Sequence, residues 1–156
     1  RTQNHRTNLK DTIDKTVRLI KAKKSSSGVS FNYSIPEEII TSISESELQT
    51  VFINLFDNSC YWMKDVAEDK REILINIEER KQEMITLTVS DTGSGIEPED
   101  AEKIFVPGVT AKPKGIGMGL VIITEIVKSY DGAIGVRIPG DKNGATFVLE
   151  IPIRKE

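Results

Sequence analysis

Cysteine is almost missing from this chain of 156 residues. Cys60 stands alone, which excludes an internal disulfide framework and a cysteine-ligated zinc site and suits a reducing compartment. No apolar run approaches the roughly 18–20 residues needed to cross a bilayer, and the polar opening R-T-Q-N-H-R is no signal peptide. The expectation is therefore a cytoplasmic unit making no membrane contact of its own. Neither sign of charge dominates: 21 basic against 24 acidic residues give a formal charge of −3. Such a balance offers no general attraction for nucleic acid or anionic lipid, so any phosphate binding must come from a local arrangement of donors. The G-K-[ST] ending of a P-loop is absent as well.

What is present suits one folded unit. With 38% hydrophobic and 29% charged residues, a chain of this length can bury a single core. Residues 1–27 read as a leading helix and linker, and 28–156 as the core. Leu9, Ile13, Thr16, Val17 and Ile20 recur at helical spacing between about Asn8 and Lys24. Ser25–Gly28 breaks that helix, and the alternation of Val29, Phe31, Tyr33 and Ile35 marks a strand ended by Pro36. Ser44 precedes Glu47 by three residues in the pattern of a capping box, which predicts a long helix running to about Ala67.

Glu72–Glu79 and Met84–Val89 alternate as two strands of an antiparallel hairpin. Glu97-Pro98-Glu99-Asp100 resembles the first turn of a short helix ending near Phe105. From Gly119 the run L-V-I-I-T-E-I-V-K-S-Y predicts a buried helix closed by Asp131-Gly132. Ala133–Ile138 and Ala145–Ile153 then form a last hairpin. This order implies an α+β fold, a two-layer α/β sandwich with a mixed, mostly antiparallel sheet and helices on one face.

Three stretches carry the chemistry: F-I-N-L-F-D-N-S at 52–59, D-T-G-S-G-I at 91–96 and K-G-I-G-M-G-L at 114–120. Together they read as a nucleotide pocket. Leu48, Val51, Phe52, Leu55 and Ser59 share one face of the long helix, while Asn54 and Asn58, four apart, lie together at its edge. Two amides thus point into one cleft. An amide oxygen is a hard, neutral ligand, suited to magnesium, which takes one or two protein oxygens and completes its octahedron with phosphates and water.

Asp91 ends an apolar strand, where a carboxylate can accept the exocyclic amino hydrogens of adenine and reject guanine. Gly93 and Gly95 leave no side chain between backbone and ring. Gly115, Gly117 and Gly119 free backbone amides for phosphate oxygens and lead into a helix N-terminus. A Rossmann reading of G-I-G-M-G-L fails, because that fingerprint needs a strand directly before it and another third-glycine spacing.

The order and spacing of these stretches resemble the N, G1 and G2 boxes of the GHKL superfamily, which includes the catalytic domains of sensor histidine kinases, gyrase, MutL proteins and heat-shock chaperone ATPases. The resemblance covers about Val29 to Ile153 and implies a Bergerat-type sandwich that binds ATP with Mg2+. It implies that Asn58 holds the magnesium, and that Ile96, Met118 and Leu120 line the nucleotide site beside the glycines. The hydrolases of the superfamily carry a glutamate where this chain has Asn54. An amide has no useful basicity near neutral pH, so it cannot remove a proton from water. Histidine kinases commonly carry asparagine at this position, and the chain resembles that branch.

Where histidine kinases often have a lysine or arginine to meet the phosphates, this chain has Tyr61. Its hydroxyl can donate one bond but brings no charge, so Lys64, Lys112 or Lys114 would have to supply it. Ile104–Lys112 resembles the kinases' F box, with Thr110 and Lys112 near the phosphates, and the lid between Lys112 and Gly115 is short for the family. Trp62 and Met63 read as core. Asn143–Phe147 resembles the family's closing G-x-T-F motif, which puts Thr146 near the base or Asp91.

His5-Arg6-Thr7 lacks the acid that follows a phosphoacceptor histidine in this family. The acceptor is therefore expected on a separate dimerisation domain, in the same or a partner chain, with a response regulator downstream. Two other readings stay open: an ATP hydrolase of the same superfamily, and a nucleotide-sensing module without catalysis.

Overall fold

The computed structural model describes residues 5–93, 119–137 and 144–155. Helix α1 spans Leu9–Lys21. Its N-cap Asn8 accepts the amide of Asp11 at 3.0 Å, and Leu9, Ile13, Val17 and Ile20 form its buried stripe. The expected helix is thus present, three residues shorter at its C-terminus.

The main sheet holds five strands in the order β2-β4-β5-β7-β6. They are β2 (Ser30–Tyr33), β4 (Glu72–Arg80), β5 (Met84–Asp91), β6 (Ala133–Arg137) and β7 (Thr146–Pro152). Only β2 and β4 pair in parallel; the other neighbours are antiparallel, as the sequence pattern implied. Ile73 and Ile75 of β4, Ile85, Leu87 and Val89 of β5, and Phe147, Leu149 and Ile151 of β7 are all buried. This alternation puts one face of the sheet under helix α2 (Glu45–Trp62), which lies between α1 and α3 (Gly119–Ser129). The result is the expected two-layer sandwich.

A second, two-stranded ladder escaped the sequence pattern. β1 (Thr7–Asn8) pairs antiparallel with β3 (Ile40–Thr41), each too short for any alternation to show. Thr41 Oγ1 donates to Pro152 O at 2.7 Å and the Arg154 amide to Ile40 O at 2.7 Å, so this ladder fastens the start of the chain to the end of β7.

Both ends of α2 are fixed by side chains. Ser44 caps the first turn, accepting the Glu47 amide at 3.3 Å, and donates its hydroxyl to Glu47 Oε1 at 2.9 Å. In a capping box the glutamate returns to the cap's own amide; here the Ser44 amide donates instead to the Tyr130 hydroxyl, which donates to Glu47 Oε1 at 2.6 Å. The start of α2 is thereby tied to the end of α3. The helix stops at Trp62, not near Ala67. Arg71 explains the early exit: its guanidinium donates to the carbonyls of Lys64, Val66 and Ser27 at 2.8–2.9 Å, holding that stretch as turns. Met63 is buried, but Trp62 is only half-buried, with its ring edge-on to Tyr61 at 5.1 Å. The expectation of core burial is corrected there.

Helix α3 closes as Asp131-Gly132 implied, with the roles divided. The Gly132 amide donates to Val127 O at 2.7 Å and the Asp131 amide to Lys128 O at 3.0 Å, the two bonds of a Schellman motif. Asp131 holds the left-handed position, φ 62°, and Gly132 is needed for clearance, since a Cβ there would come within 2.4 Å of Glu150 O. Gly132→Ala should therefore lower unfolding stability by about 2 kcal/mol, while Asp131→Gly should change it by less than about 0.5 kcal/mol, as read in urea titrations.

Candidate nucleotide site

Strand β5 delivers Asp91 to the end of the sheet nearest the C-terminal half of α2. Its alternation turns Val89 and Asp91 to the helix-covered face, and Asp91 is only 7% exposed. Carboxylate oxygen Oδ1 accepts the Gly93 amide at 2.9 Å and the Ala145 amide at 3.3 Å. Oδ2 is buried with no hydrogen-bond partner among the described residues.

Two glycines allow this seat. A Cβ on Gly93 would lie 2.7 Å from Trp62 O, and one on Gly144, at φ +105°, would lie 2.1 Å from Asp91 O. Burial pushes the Asp91 carboxyl above the usual carboxylate range. The Gly93 and Ala145 amides pull it back part of the way.

Helix α2 brings the other groups. Asn58, 9% exposed, and half-buried Asn54 lie one turn apart. Asn54 donates its amide N–H to Thr50 O at 2.7 Å, which leaves its carbonyl oxygen for a ligand. Ser59, fully buried beside Asn58, has no hydrogen-bond partner for its hydroxyl among the described residues. Tyr61 is half-buried, and the Lys64 ammonium stands 4.1 Å from its ring centroid, a cation–π contact that sets a positive charge beside the phenol. Burial raises the Cys60 thiol to about 11, so it is no thiolate nucleophile near neutral pH.

Thr146 directly follows Ala145, whose amide meets Asp91. Its hydroxyl meets that of Ser90 at 3.0 Å, because the register pairs Thr146 with Ser90, whose side chain alternates to the opposite face. The residues just before it, Gly144 and Ala145, make the contact with Asp91. Gly119 opens α3 and Leu120 packs half-buried against the core. Gly95, Ile96, Thr110, Lys112, Lys114, Gly115, Gly117 and Met118 lie outside the described residues, as do the expected helix ending near Phe105 and the short lid.

A magnesium ion fits this donor set in one way. Among the described residues no three histidine, cysteine or carboxylate side chains cluster to cage a metal. Asn58 offers a single neutral oxygen at the cleft border, which suits an ion arriving with its own phosphate and water ligands.

Residues 43–155 match the family described as histidine kinase-, DNA gyrase B- and HSP90-like ATPases. The chain belongs to this family. It is 28% identical over 147 residues to the sensor histidine kinase ZraS of Salmonella typhi, covering 94% of this chain and 30% of the relative. Against the C4-dicarboxylate transport sensor protein DctB of Rhizobium meliloti it is 30% identical over 146 residues, covering 93% and 23%. The chain thus spans less than a third of these curated relatives. Among solved structures, the catalytic domain of histidine kinase ThkA superposes with a TM-score of 0.76 at 27% identity, covering 95% of this chain and 94% of that one. The mycobacterial sensor histidine kinase MprB gives 0.83 at 19% identity, covering 98% and 99%, a likeness of fold.

The side-chain pattern does not reveal Gly144 and Ala145, whose backbone meets Asp91, and only the turn pair Asn143-Gly144 hints at a special backbone there. The electrostatics carry a pH signature. The raised Asp91 carboxyl favours the protonated folded state, so its contribution to stability is fully present below the ordinary carboxylate value and is lost as pH rises through the folded value. Asp91→Asn should therefore match the parent's thermal stability near pH 4 and exceed it at pH 7. Equal melting curves at both pH values would show that the burial of this charge is not felt.

Proposed function

We propose that this chain binds Mg-ATP and transfers its γ-phosphoryl group to a histidine on a separate dimerisation domain, as the catalytic unit of a two-component histidine kinase. The observation that carries the reading is the Asp91 seat: a buried carboxylate with one oxygen fixed by two backbone amides and the other unengaged, beside the two asparagines of α2. An acceptor held in that way selects a base that presents an amino group. Relatives aligned along nearly the whole chain bear sensor-kinase names, which supports the same reading.

Asn58 would hold magnesium, which when bound offsets phosphate charge. Lys64 stands beside Tyr61 where the phosphates would lie, with Thr110, Lys112, Lys114 and the glycines Gly115, Gly117 and Gly119 assigned to the same end from the sequence. The chain's role is positioning and charge neutralisation, which is most of what phosphoryl transfer asks of a protein. A nitrogen of the acceptor imidazole attacks the γ-phosphorus, an N–P bond forms as the bond to the β–γ bridging oxygen breaks, and ADP leaves. Asn54 supplies no base, and the imidazole needs none as strong as water would. The acceptor domain, in the same or a partner chain, and a response regulator are the partners, and the cytoplasm is the proposed setting.

ATP with magnesium at one hundred times its dissociation constant should stabilise the fold by about 2.7 kcal/mol, read as a raised melting temperature, and GTP should not. Asn58→Ala should remove the magnesium-dependent part of that gain. Equal responses to ATP and GTP would sink the base assignment. The chain alone should release phosphate very slowly, while adding a cognate helical-hairpin domain should yield an acid-labile phosphoryl adduct. Robust hydrolysis untouched by Asn54→Ala would favour the hydrolase reading, and binding with neither reaction would favour a sensing module.

A further inference from the structure

Arg71 directs its guanidinium at main-chain carbonyls. Nε donates to Val66 O at 2.8 Å, Nη1 to Ser27 O at 2.9 Å and Nη2 to Lys64 O at 2.9 Å. A guanidinium is a rigid, planar fork that stays charged, so three such bonds fix the carbonyls relative to one another. The fork itself stands on a fixed base. The Arg71 carbonyl accepts the Ser30 amide at 3.0 Å, where β2 meets β4. The Thr92 hydroxyl engages both neighbours of Arg71, donating to Lys70 O at 2.9 Å and accepting the Glu72 amide at 3.1 Å. Thr92 directly follows Asp91, so one continuous set of bonds runs from the Asp91 seat, through Arg71, to the turn that carries Lys64.

That turn matters because of what Lys64 faces. Its ammonium lies 4.1 Å from the centroid of the ring of Tyr61, one helical turn beyond Asn58. The attraction between a cation and a ring near solvent is weak, and a lysine on an exposed turn has many other rotamers open to it. The contact therefore persists only where the Lys64 backbone is set correctly against Tyr61. Two bonds set it: the Lys64 amide donates to Tyr61 O at 3.2 Å, and the Lys64 carbonyl accepts from Arg71.

We propose that Arg71 is a positioning residue for the phosphate end of the site, holding the Lys64 carbonyl so that the Lys64 ammonium stays over Tyr61, where it meets the phosphate oxygens of a bound nucleotide. This rests on the nucleotide-binding reading above and adds to it the device that aims the cation, in a chain whose helix offers a phenol at position 61. Arg71 acts through Lys64, its own fork being turned to the main chain.

The test compares equilibrium binding of ATP with magnesium against that of adenosine, which has the same base and ribose and no phosphate. Lys64→Ala should weaken ATP about tenfold, the worth of one charge-assisted hydrogen bond, and leave adenosine unchanged. Arg71→Lys, which keeps the charge and loses the fork, should weaken ATP selectively by up to the same factor. In the Lys64→Ala background Arg71→Lys should have no further effect on either ligand, as expected of a residue acting through Lys64. The ε-methylene protons of Lys64, shifted upfield by the Tyr61 ring in the nucleotide-free chain, should move towards those of an ordinary lysine in Arg71→Lys.

An unchanged ratio of ATP to adenosine affinity in Lys64→Ala would overturn the proposal, a result that needs no Arg71 variant to fold. So would a loss in Arg71→Lys that weakens both ligands alike, which marks a purely structural role, or one that persists in the Lys64→Ala background, which puts Arg71 on the ligand. Lys64 methylene protons that do not move in Arg71→Lys would overturn it as well. If ATP binding depends on Asp91 while any of these results holds, only the Arg71–Lys64 assignment has failed. If Asp91→Asn leaves ATP binding unchanged, the nucleotide reading has failed and this proposal with it.

Discussion

A carboxylate buried at the end of a strand constrains most of what surrounds it. Taking Asp91 out of water disfavours its charge, and the chain answers with backbone amides, which are dipoles fixed by the fold and need no flexible side chain. The Ala145 amide reaches Oδ1 because β7 pairs with β5 in the register that sets Thr146 opposite Ser90. The Gly93 amide reaches it through a local turn, two residues further along the chain. Both approaches are so close that a methyl group at Gly93 or Gly144 would strike a carbonyl oxygen, of Trp62 in one case and of Asp91 in the other. Strand register and two glycines thus follow from one seat.

Helix α2 must then be held still with respect to that seat. Its apolar stripe of Leu48, Val51, Phe52, Leu55 and Phe56 sets its rotation on the sheet, which leaves the edge carrying Asn54 and Asn58 facing the cleft. Sliding along its axis is opposed at both ends. Ser44, Glu47 and Tyr130 lock the first turn to the end of α3, and Arg71 collects two carbonyls just beyond the last turn, of Lys64 and Val66, and ties them to that of Ser27. Residues separated by dozens of positions therefore keep a fixed spacing between the asparagine amides and Asp91. A kinase-type site, whose contribution is positioning, depends on that spacing more than on any one side chain's reactivity.

Much of this was legible in the sequence because it is periodic. The stripe of α1, the alternation of β4 and β5, the Ser44 cap and the Asp131-Gly132 stop are local signals, and each appears in the fold where its pattern put it. The differences are non-local. The end of α2 at Trp62 depends on Arg71, nine residues on, and nothing in the residues between Trp62 and Ala67 forbids a helix. The β1–β3 ladder is two residues per strand, too short for a period of two to register. The motif puts Thr146 near the base or Asp91; its hydroxyl meets that of Ser90, and the hydrogen bond to Asp91 comes from the Ala145 backbone, to which a side-chain pattern is blind.

The seat also links stability to binding. Leaving a buried polar atom without a partner costs about 1–3 kcal/mol, and Asp91 Oδ2 is such an atom. Against a typical domain stability of about 5–15 kcal/mol this is a substantial share. An apolar residue at this position would make a more stable fold with nothing to read a ligand. On the proposed reading, a base that satisfies this oxygen returns that energy as affinity, and because the group is already desolvated and fixed, little further ordering is needed when it enters. The same reasoning makes discrimination steep. A ligand with a carbonyl in place of the amino group would leave the oxygen unpaired and set a carbonyl against a carboxylate, so rejection at this site rests on the cost of the wrong pairing as much as on the gain from the right one.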